Sequence, residues 1–335
     1  MTGRFRIPGW YRILGALLAR PLAWRDSPRL GPWHPLDGRR VWIHGASLGE
    51  CKAVLSVAKA LPAGTQAVLT STTAAGVERL RADGRFPAYL APFDTLAVAE
   101  AFALAMGVTR LLLVEAELWP AWIATASRLG IPVAVVSVRV AGKSKNRWRR
   151  LWRLFPGLPQ ALDRVWSNAG ELARAREAGF LRAQPGAGLK WAGIEPISVN
   201  PIPGRFAALS LHRRDAAALS RTVQEWGGGW LLFPRRLRDV PFWKAKAKSW
   251  GLRSVATSQE EIPGTAWVAE EFGLVRQNLP GCVRAWVSPG HDAWEPLYLG
   301  VSEVAPAGYD RERLDDHRRR ADACLAEVVD WLGVP

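Results

Sequence analysis

The 335-residue chain has few of the residues that build metal centres and disulfide frameworks, with only three cysteines and five histidines. Cys51, Cys282 and Cys324 stand far apart and form no CxxC pair, which excludes a disulfide scaffold and a thiolate zinc site and suits a reducing compartment. The histidines form no HExxH, so no metal constellation is expected. Acidic residues are outnumbered: 30 Asp plus Glu face 45 Lys plus Arg, a formal charge of +15. That surplus points to an anionic partner, and nucleic acid, an anionic membrane face and phosphorylated small molecules all qualify. Long apolar runs are absent as well. The nearest to one, GWYRILGALLARPLAW (9–24), is interrupted by Arg12, Arg20 and Pro21 and falls short of the ~20 residues that span a bilayer. No A-x-A cleavage site accompanies it, so a signal peptide is not expected. Trp10, Ile13, Leu14, Leu17 and Leu18 fall at helical spacing between basic flanks, which reads as an interfacial helix on an anionic leaflet, or else as a helix packed on the domain.

The length suits about two domains, and a hydrophobic fraction of 49% supplies sizeable cores. Short β-branched runs VWIH (41–44), AVLTST (67–72), RLLLVE (110–115) and PVAVVSV (132–138) alternate with helix-compatible stretches, the pattern of a doubly wound α/β domain. The Pro-rich GIEPISVNPIPGRF (193–206) breaks both periodicities and reads as a linker. WLLFP (230–234), RSVAT (253–257), TAWVA (265–269) and VRAWV (283–287) then announce a second α/β domain, and the chain closes on a charged helix. The expected organisation is a membrane-associating segment 1–35, an α/β domain 36–193, a linker 194–206 and a second α/β domain 207–335 carrying the C-terminal helix. Two such halves would face each other across a cleft, a common ligand site.

Candidate chemistry gathers at strand ends. HGASLGE (44–50) places Glu50 where a strand gives way to a helix, outside the carboxyl end of a parallel strand, where ligands bind in such sheets. The helix N-terminus favours its ionised form, and an ionised carboxylate in a cleft can deprotonate a hydroxyl. A first-turn acid serving the helix dipole is the plainer alternative. The turn before it uses Gly45, Ala46, Ser47 and Gly49, small enough for a substrate to come close. In LLLVEAELWP (111–120), Glu115 and Glu117 would point to one side if the strand persists, beside Trp119 and Pro120. A capping role for the helix near Pro120 would account for one of the two. VRVAGKSKNRWRRLWRLF (138–155) reads as a basic amphipathic helix, with Trp148, Leu151, Trp152 and Phe155 on one stripe. It suits a membrane surface or phosphorylated lipid, or is a solvated basic face over a core stripe; no base-reading motif supports nucleic acid. LSLHRRD (209–215), FPRR (233–236) and SPGHDAWEP (288–296) hold further polar groups near strand ends, where an Arg pair can hold phosphate oxygens.

In order, these pieces resemble the 3-deoxy-D-manno-octulosonic acid (Kdo) transferases of lipopolysaccharide synthesis. WIHGASLGE is similar to the family's W-I-H-A-A-S-V-G-E, LTSTTAAG (69–76) to T-T-T-x-x-G, YLAPFD (89–94) to Y-x-P-Y-D, VEAELWP to E-T-E-L-W-P, SVRVAGKSKNRWRRL to N-A-R-L-S-x-R-S, and GLKW (188–191) to G-N-L-K-F-D. The second half departs further: Leu209 stands for a glycine, Arg236 for a histidine and Asp292 for an asparagine. The resemblance implies a GT-B fold of two Rossmann-like domains, and an inverting, metal-independent transfer from CMP-Kdo to a lipid A precursor on the cytoplasmic face of the bacterial inner membrane. No cofactor and no nucleic-acid partner are implied. Glu50 would be the general base, with Ser47, Gly49, Thr72, Glu115, Glu117 and Arg139 around the acceptor. Lys190, Ser210, His212, Arg235, Arg236, Ser288, Gly290, His291, Asp292 and Glu295 would hold the donor. A membrane-bound relative with lost or altered donor use, and an unrelated basic binding protein, are the competing readings.

Overall fold

Aliphatic runs too short for helices and buried on both faces become the strands of parallel sheets. The computed structural model describes residues 5–23, 27–115, 117–140, 145–196, 198, 200, 202–254, 265–269, 280, 282–288, 294–306 and 309–333. They fall into two units, residues 1–193 with 318–335, and residues 194–317.

The first unit is a seven-stranded sheet in the order β3-β2-β1-β4-β5-β6-β7, parallel throughout. Its strands are β1 (Arg40–His44), β2 (Gln66–Ser71), β3 (Ala88–Leu90), β4 (Val108–Val114), β5 (Val133–Val138), β6 (Arg164–Asn168) and β7 (Ala183–Gly186). Strands β1 and β5 are buried along their whole length, which is why they read as unbroken apolar runs. The chain winds outward from β1 to β3, then returns to β4 on the other side of β1. That reversal makes the carboxyl ends of β1 and β4 the switch point of the sheet.

Helix α1 (Gly9–Ala23) belongs to this unit and is not a separate segment. Phe5 and Ile7, just before it, are buried in the core, and the Phe5 N–H donates to Ser127 Oγ at 3.0 Å. The Tyr11 hydroxyl donates to Asp94 at 2.5 Å. The end of the C-terminal helix (Arg311–Gly333) also packs here, correcting its expected place in the second domain. Leu325, Val328, Trp331 and Leu332 join the core beside Ile43, Val54 and Leu112, and Trp331 Nε1 donates to Asp163 at 2.8 Å. Its charged face dominates the composition, whereas this apolar stripe needs a cover.

The second unit has strands β8 (Arg205–Leu211), β9 (Gly229–Pro234), β10 (Arg253–Ser254), β11 (Thr265–Val268), β12 (Arg284–Val287), β13 (Glu303–Ala305) and β14 (Tyr309–Asp310), in the order β10-β11-β9-β8-β12-β13-β14. Among these strands only the β13–β14 pairing is antiparallel. Strand β8 begins inside the expected linker, which therefore ends before residue 205. The core holds Trp230, Trp243 and Trp286. The switch point here lies between β8 and β12.

Candidate active site

At the first switch point, β1 stops at His44 and α2 (Leu48–Ala60) starts four residues later. Gly45 makes this possible. A Cβ there would sit 2.8 Å from Val54 Cγ2 and 3.1 Å from Glu50 Cβ, so the glycine seats the helix against the strand rather than opening room for a substrate. Gly49 is different, because a Cβ there would meet its nearest neighbours, Lys190 Nζ and Ser47 Oγ, at 3.7 Å.

Ser47 caps α2 in a reciprocal box with Glu50. The Glu50 N–H donates to Ser47 Oγ at 3.3 Å, and the serine hydroxyl donates to Glu50 Oε1 at 3.0 Å. Glu50 Oε2 accepts from the Ala46 N–H at 2.6 Å and the Ser47 N–H at 3.3 Å. Thr72 closes the turn from outside, its hydroxyl donating to the Ala46 carbonyl at 2.7 Å. Glu50 is only 9% exposed. A carboxylate accepts about four hydrogen bonds; Glu50 takes three within the turn, which leaves room on Oε1 for one more donor. Burial, then the charge of Glu115, raises its pKa, while the bonds from Ser47 and Ala46 pull it back. Such a group is a stronger base than a free carboxylate and is still held in its ionised shape.

Glu115 and Glu117 reach the same place by another route. Strand β4 ends at Val114, and Glu115 turns out of it with φ of 61°, so strand alternation does not carry the pair as the sequence suggested. Glu115 instead meets Lys190 Nζ at 3.4 Å. Lys190 sits on the 3-10 turn Leu189–Trp191, pinned by a residue sequence reasoning passed over. Buried Ser137 accepts the Leu189 N–H at 3.1 Å and donates to the Ala187 carbonyl at 3.2 Å. Its signal was a lone hydroxyl inside PVAVVSV. Lys190, expected among the donor ligands, thus sits with the carboxylates of the first unit. The Glu117 pKa is raised by burial, then by Glu50 and Glu115, with Arg147 opposing.

The capping alternative for the acidic pair has another occupant. Helix α3 (Ala74–Arg81) and helix α4 (Leu96–Ala105) lead to α5 (Pro120–Leu129), whose Ala121 and Trp122 N–H groups are taken by Asp94 at 3.0 and 3.1 Å. Burial pushes Asp94 up to about 6. His44 is buried against Trp122, bonded to Thr70 Oγ1 at 2.9 Å and pushed down to about 3 by burial, so it stays neutral. The structure brings together Ser47, Gly49, Glu50, Thr72, Glu115, Glu117 and Lys190. Arg139, exposed just past β5, forms no ion pair with them among the described residues.

In the second unit, Ser210 lies in the irregular end of β8 with φ of 55°, and Ser288 follows β12 with a buried hydroxyl that has no partner among the described residues. Both flank the switch point. His212 and Arg236 line a cavity of about 430 Å³ with Arg213, Arg238 and Asp239, three residues the motif comparison missed. Arg235 is exposed, and its N–H donates to the Leu211 carbonyl at 2.9 Å. Glu295 opens the short helix Trp294–Tyr298. Gly290, His291 and Asp292 lie outside the described residues.

On the surface, α1 exposes Trp10, Ile13, Leu14, Leu17 and Leu18, the last two by 53% and 54%. Helix α6 (Lys145–Leu154) shows Arg147, Arg149, Arg150 and Arg153 to solvent, but its aromatic stripe is core: Trp148 and Trp152 pack on Phe180. Phe155, just beyond α6, lies 5.6 Å from Trp10 and 5.0 Å from Tyr11 between ring centres. Among the described residues no helix is long and apolar enough to cross a membrane.

Two α/β units with these sheets define the GT-B fold. MurG of Acinetobacter baumannii superposes with a TM-score of 0.50 at 14% identity, over 88% of this chain and 99% of that one. A putative UDP-N-acetylglucosamine 2-epimerase from Listeria monocytogenes gives 0.52 at 12% identity, over 87% and 91%. At such identities the likeness is one of fold alone. Sequence goes further: residues 23–184, just under half of the chain, match the family model described as 3-Deoxy-D-manno-octulosonic-acid transferase (kdotransferase). It is 35% identical over 155 residues to a 3-deoxy-D-manno-octulosonic acid transferase of Bordetella pertussis, and 30% identical over 118 residues to a probable mitochondrial one of Arabidopsis thaliana. These matches take in 44% and 33% of this chain and span 35% and 26% of the relatives' lengths.

Proposed function

We propose that the chain is a glycosyltransferase that moves Kdo, or a related sugar acid, from a CMP-linked donor to a hydroxyl of a lipid A precursor, with inversion. The observation that carries this is Glu50: a buried carboxylate at the switch point of a family-matched unit, locked by three hydrogen bonds and raised in pKa by burial and Glu115. Glu50 takes the hydroxyl proton as the oxygen attacks the anomeric carbon, and the bond from that carbon to the CMP phosphate breaks with its electron pair leaving on CMP. A positioned base of this kind contributes ~10²–10⁴ in rate. Glu117, its pKa raised by burial and then by Glu50 and Glu115, hydrogen-bonds the acceptor, and Lys190 offsets the charge of Glu115 beside it. No metal is needed in this scheme. The chain works at the cytoplasmic face of the inner membrane, with the exposed apolar face of α1 in the leaflet and the arginines of α6 on anionic headgroups.

The test is incubation of purified protein with CMP-Kdo and a tetra-acylated lipid A precursor, followed by mass spectrometry. One or more Kdo additions are expected, and Glu50→Gln should lower the rate at least ~100-fold. A Glu50→Gln rate equal to wild type removes Glu50 from the base role. The family match stops at residue 184, before the second unit, which favours a second reading: a relative that binds the acceptor lipid without donor use. Lipid binding with no product from wild-type protein would select it.

A further inference from the structure

Helix α1 has two faces with different neighbours. One exposes Trp10, Ile13, Leu14, Leu17 and Leu18. The other lies on the turn between β3 and α4 and touches it one helical turn apart. The Tyr11 hydroxyl donates to Asp94 Oδ2 at 2.5 Å. Gly15 is buried there: a Cβ on it would stand 3.1 Å from Thr95 Cγ2 and 3.6 Å from the Asp94 carbonyl oxygen. The missing side chain lets α1 lie this close.

Asp94 holds a second helix with its other oxygen. Oδ1 accepts the Ala121 and Trp122 N–H groups at 3.0 and 3.1 Å. Helix α5 needs these bonds, because Trp119 at its N-cap supplies no side-chain bond. Only Leu118 and Trp119 separate Glu117 from Pro120, where α5 begins. Trp119 is stacked on Trp122 at 5.1 Å between ring centres, so the end of this loop and the first turn of α5 shift together. Asp94 is 7% exposed, which shelters both sets of bonds from water.

We infer that Asp94 is a positioning residue that carries the seating of α1 to the loop of Glu117, so that an anionic bilayer under α1 sets the acceptor-side carboxylate. The links run from Tyr11 to Asp94, from Asp94 to the first turn of α5, and back along the chain to Glu117. A bilayer acts through them by favouring one seating of α1 over another. The inference rests on the membrane reading of α1 given above.

The experiment is amide hydrogen exchange read by mass spectrometry on the whole chain, with and without phosphatidylglycerol–phosphatidylcholine vesicles, beside a flotation assay. In wild type, vesicles should slow exchange over residues 115–123 at least ~5-fold, the low end of ordinary coupling between two sites. Tyr11→Phe keeps the ring against Phe155 and should still float, but its response should fall below ~2-fold. Asp94→Asn, whose amide can take the α5 N–H groups and bond the Tyr11 hydroxyl, should keep part of the response. Leu17→Glu should lose flotation and response together. With a deacylated, water-soluble acceptor, vesicles should lower the acceptor KM in wild type and not in Tyr11→Phe. Exchange needs no turnover, so it decides the matter even if the transfer reading fails. A wild-type chain that floats without slower exchange at 115–123, or a Tyr11→Phe response equal to wild type, overturns the inference and leaves the membrane reading standing. If the wild-type chain does not float, the membrane reading fails and the inference fails with it.

Discussion

Replacing Glu115 by glutamine tests the candidate base without touching it. Glu50 is held above the ordinary carboxylate range first by burial and second by the negative charge of Glu115. The amide keeps the shape of Glu115 and an oxygen for Lys190, but removes the charge. Two changes then act in the same direction: Glu50 loses a repulsive neighbour, and the Lys190 ammonium, now cancelled at 3.4 Å, is released. The Coulomb energy of that pair is ~1 kcal/mol in bulk water and ~5 kcal/mol at an effective dielectric near 20, for the 3.4 Å separation. With the two side chains 30% and 29% exposed, the lower figure applies. Glu50 is not within ion-pair distance of Lys190, so its own gain is smaller than this figure, under about one pKa unit. A general base works only when ionised, so transfer is lost as pH falls through its pKa. Initial rates measured from about pH 4.5 to 8 should therefore show the acid limb of kcat/KM moving down, by up to ~1 unit, in Glu115→Gln. Glu117→Gln is the control. Glu117 makes no ion pair with Lys190 among the described residues, so its removal should move the limb less than Glu115→Gln does. An acid limb that stays fixed or moves up in Glu115→Gln would refute the coupling of these carboxylates.

Ser137→Ala leaves the Leu189 N–H buried without its acceptor, and should cost about 1–3 kcal/mol in denaturant unfolding while lowering transfer through a displaced Lys190. Asp94 is raised from 3.8 to about 6, so its contribution to stability is complete below about pH 4 and is lost as pH rises through 6. That amounts to ~3 kcal/mol between the two limits, and thermal melts of Asp94→Asn should lose this part of the pH dependence. Leu17→Glu, at a position 53% exposed, should leave the melting temperature within about 2 °C but abolish most flotation with anionic vesicles; unchanged flotation would remove α1 from the membrane surface.

The sequence was easiest to read where a residue's role is local. VWIH, RLLLVE and PVAVVSV are buried on both faces and announce their strands, and Glu50 follows one of them by a turn whose capping partner is three residues away. Strand β8 was harder, because its first residues follow a proline-rich stretch that breaks every periodicity, although β8 is central to its sheet. Edge strands such as β3 and β7 are short, and β7 contains proline and glycine. The position of Lys190 depends on a bond from Ser137, 52 residues away, and no local pattern encodes it. Arg238 and Asp239 carry no motif, and only the fold of two strand ends brings them beside His212.

The reciprocal box between Ser47 and Glu50 ties two properties to one side chain. Glutamine is accepted at the third position of such a box, so Glu50→Gln removes the base while keeping the helix start closed. Alanine there removes both, and its lost activity would mix chemistry with an unfastened α2. Selection for a different basicity at this position is also selection on the stability of the unit, so the carboxylate can be tuned through its neighbours far more readily than it can be exchanged.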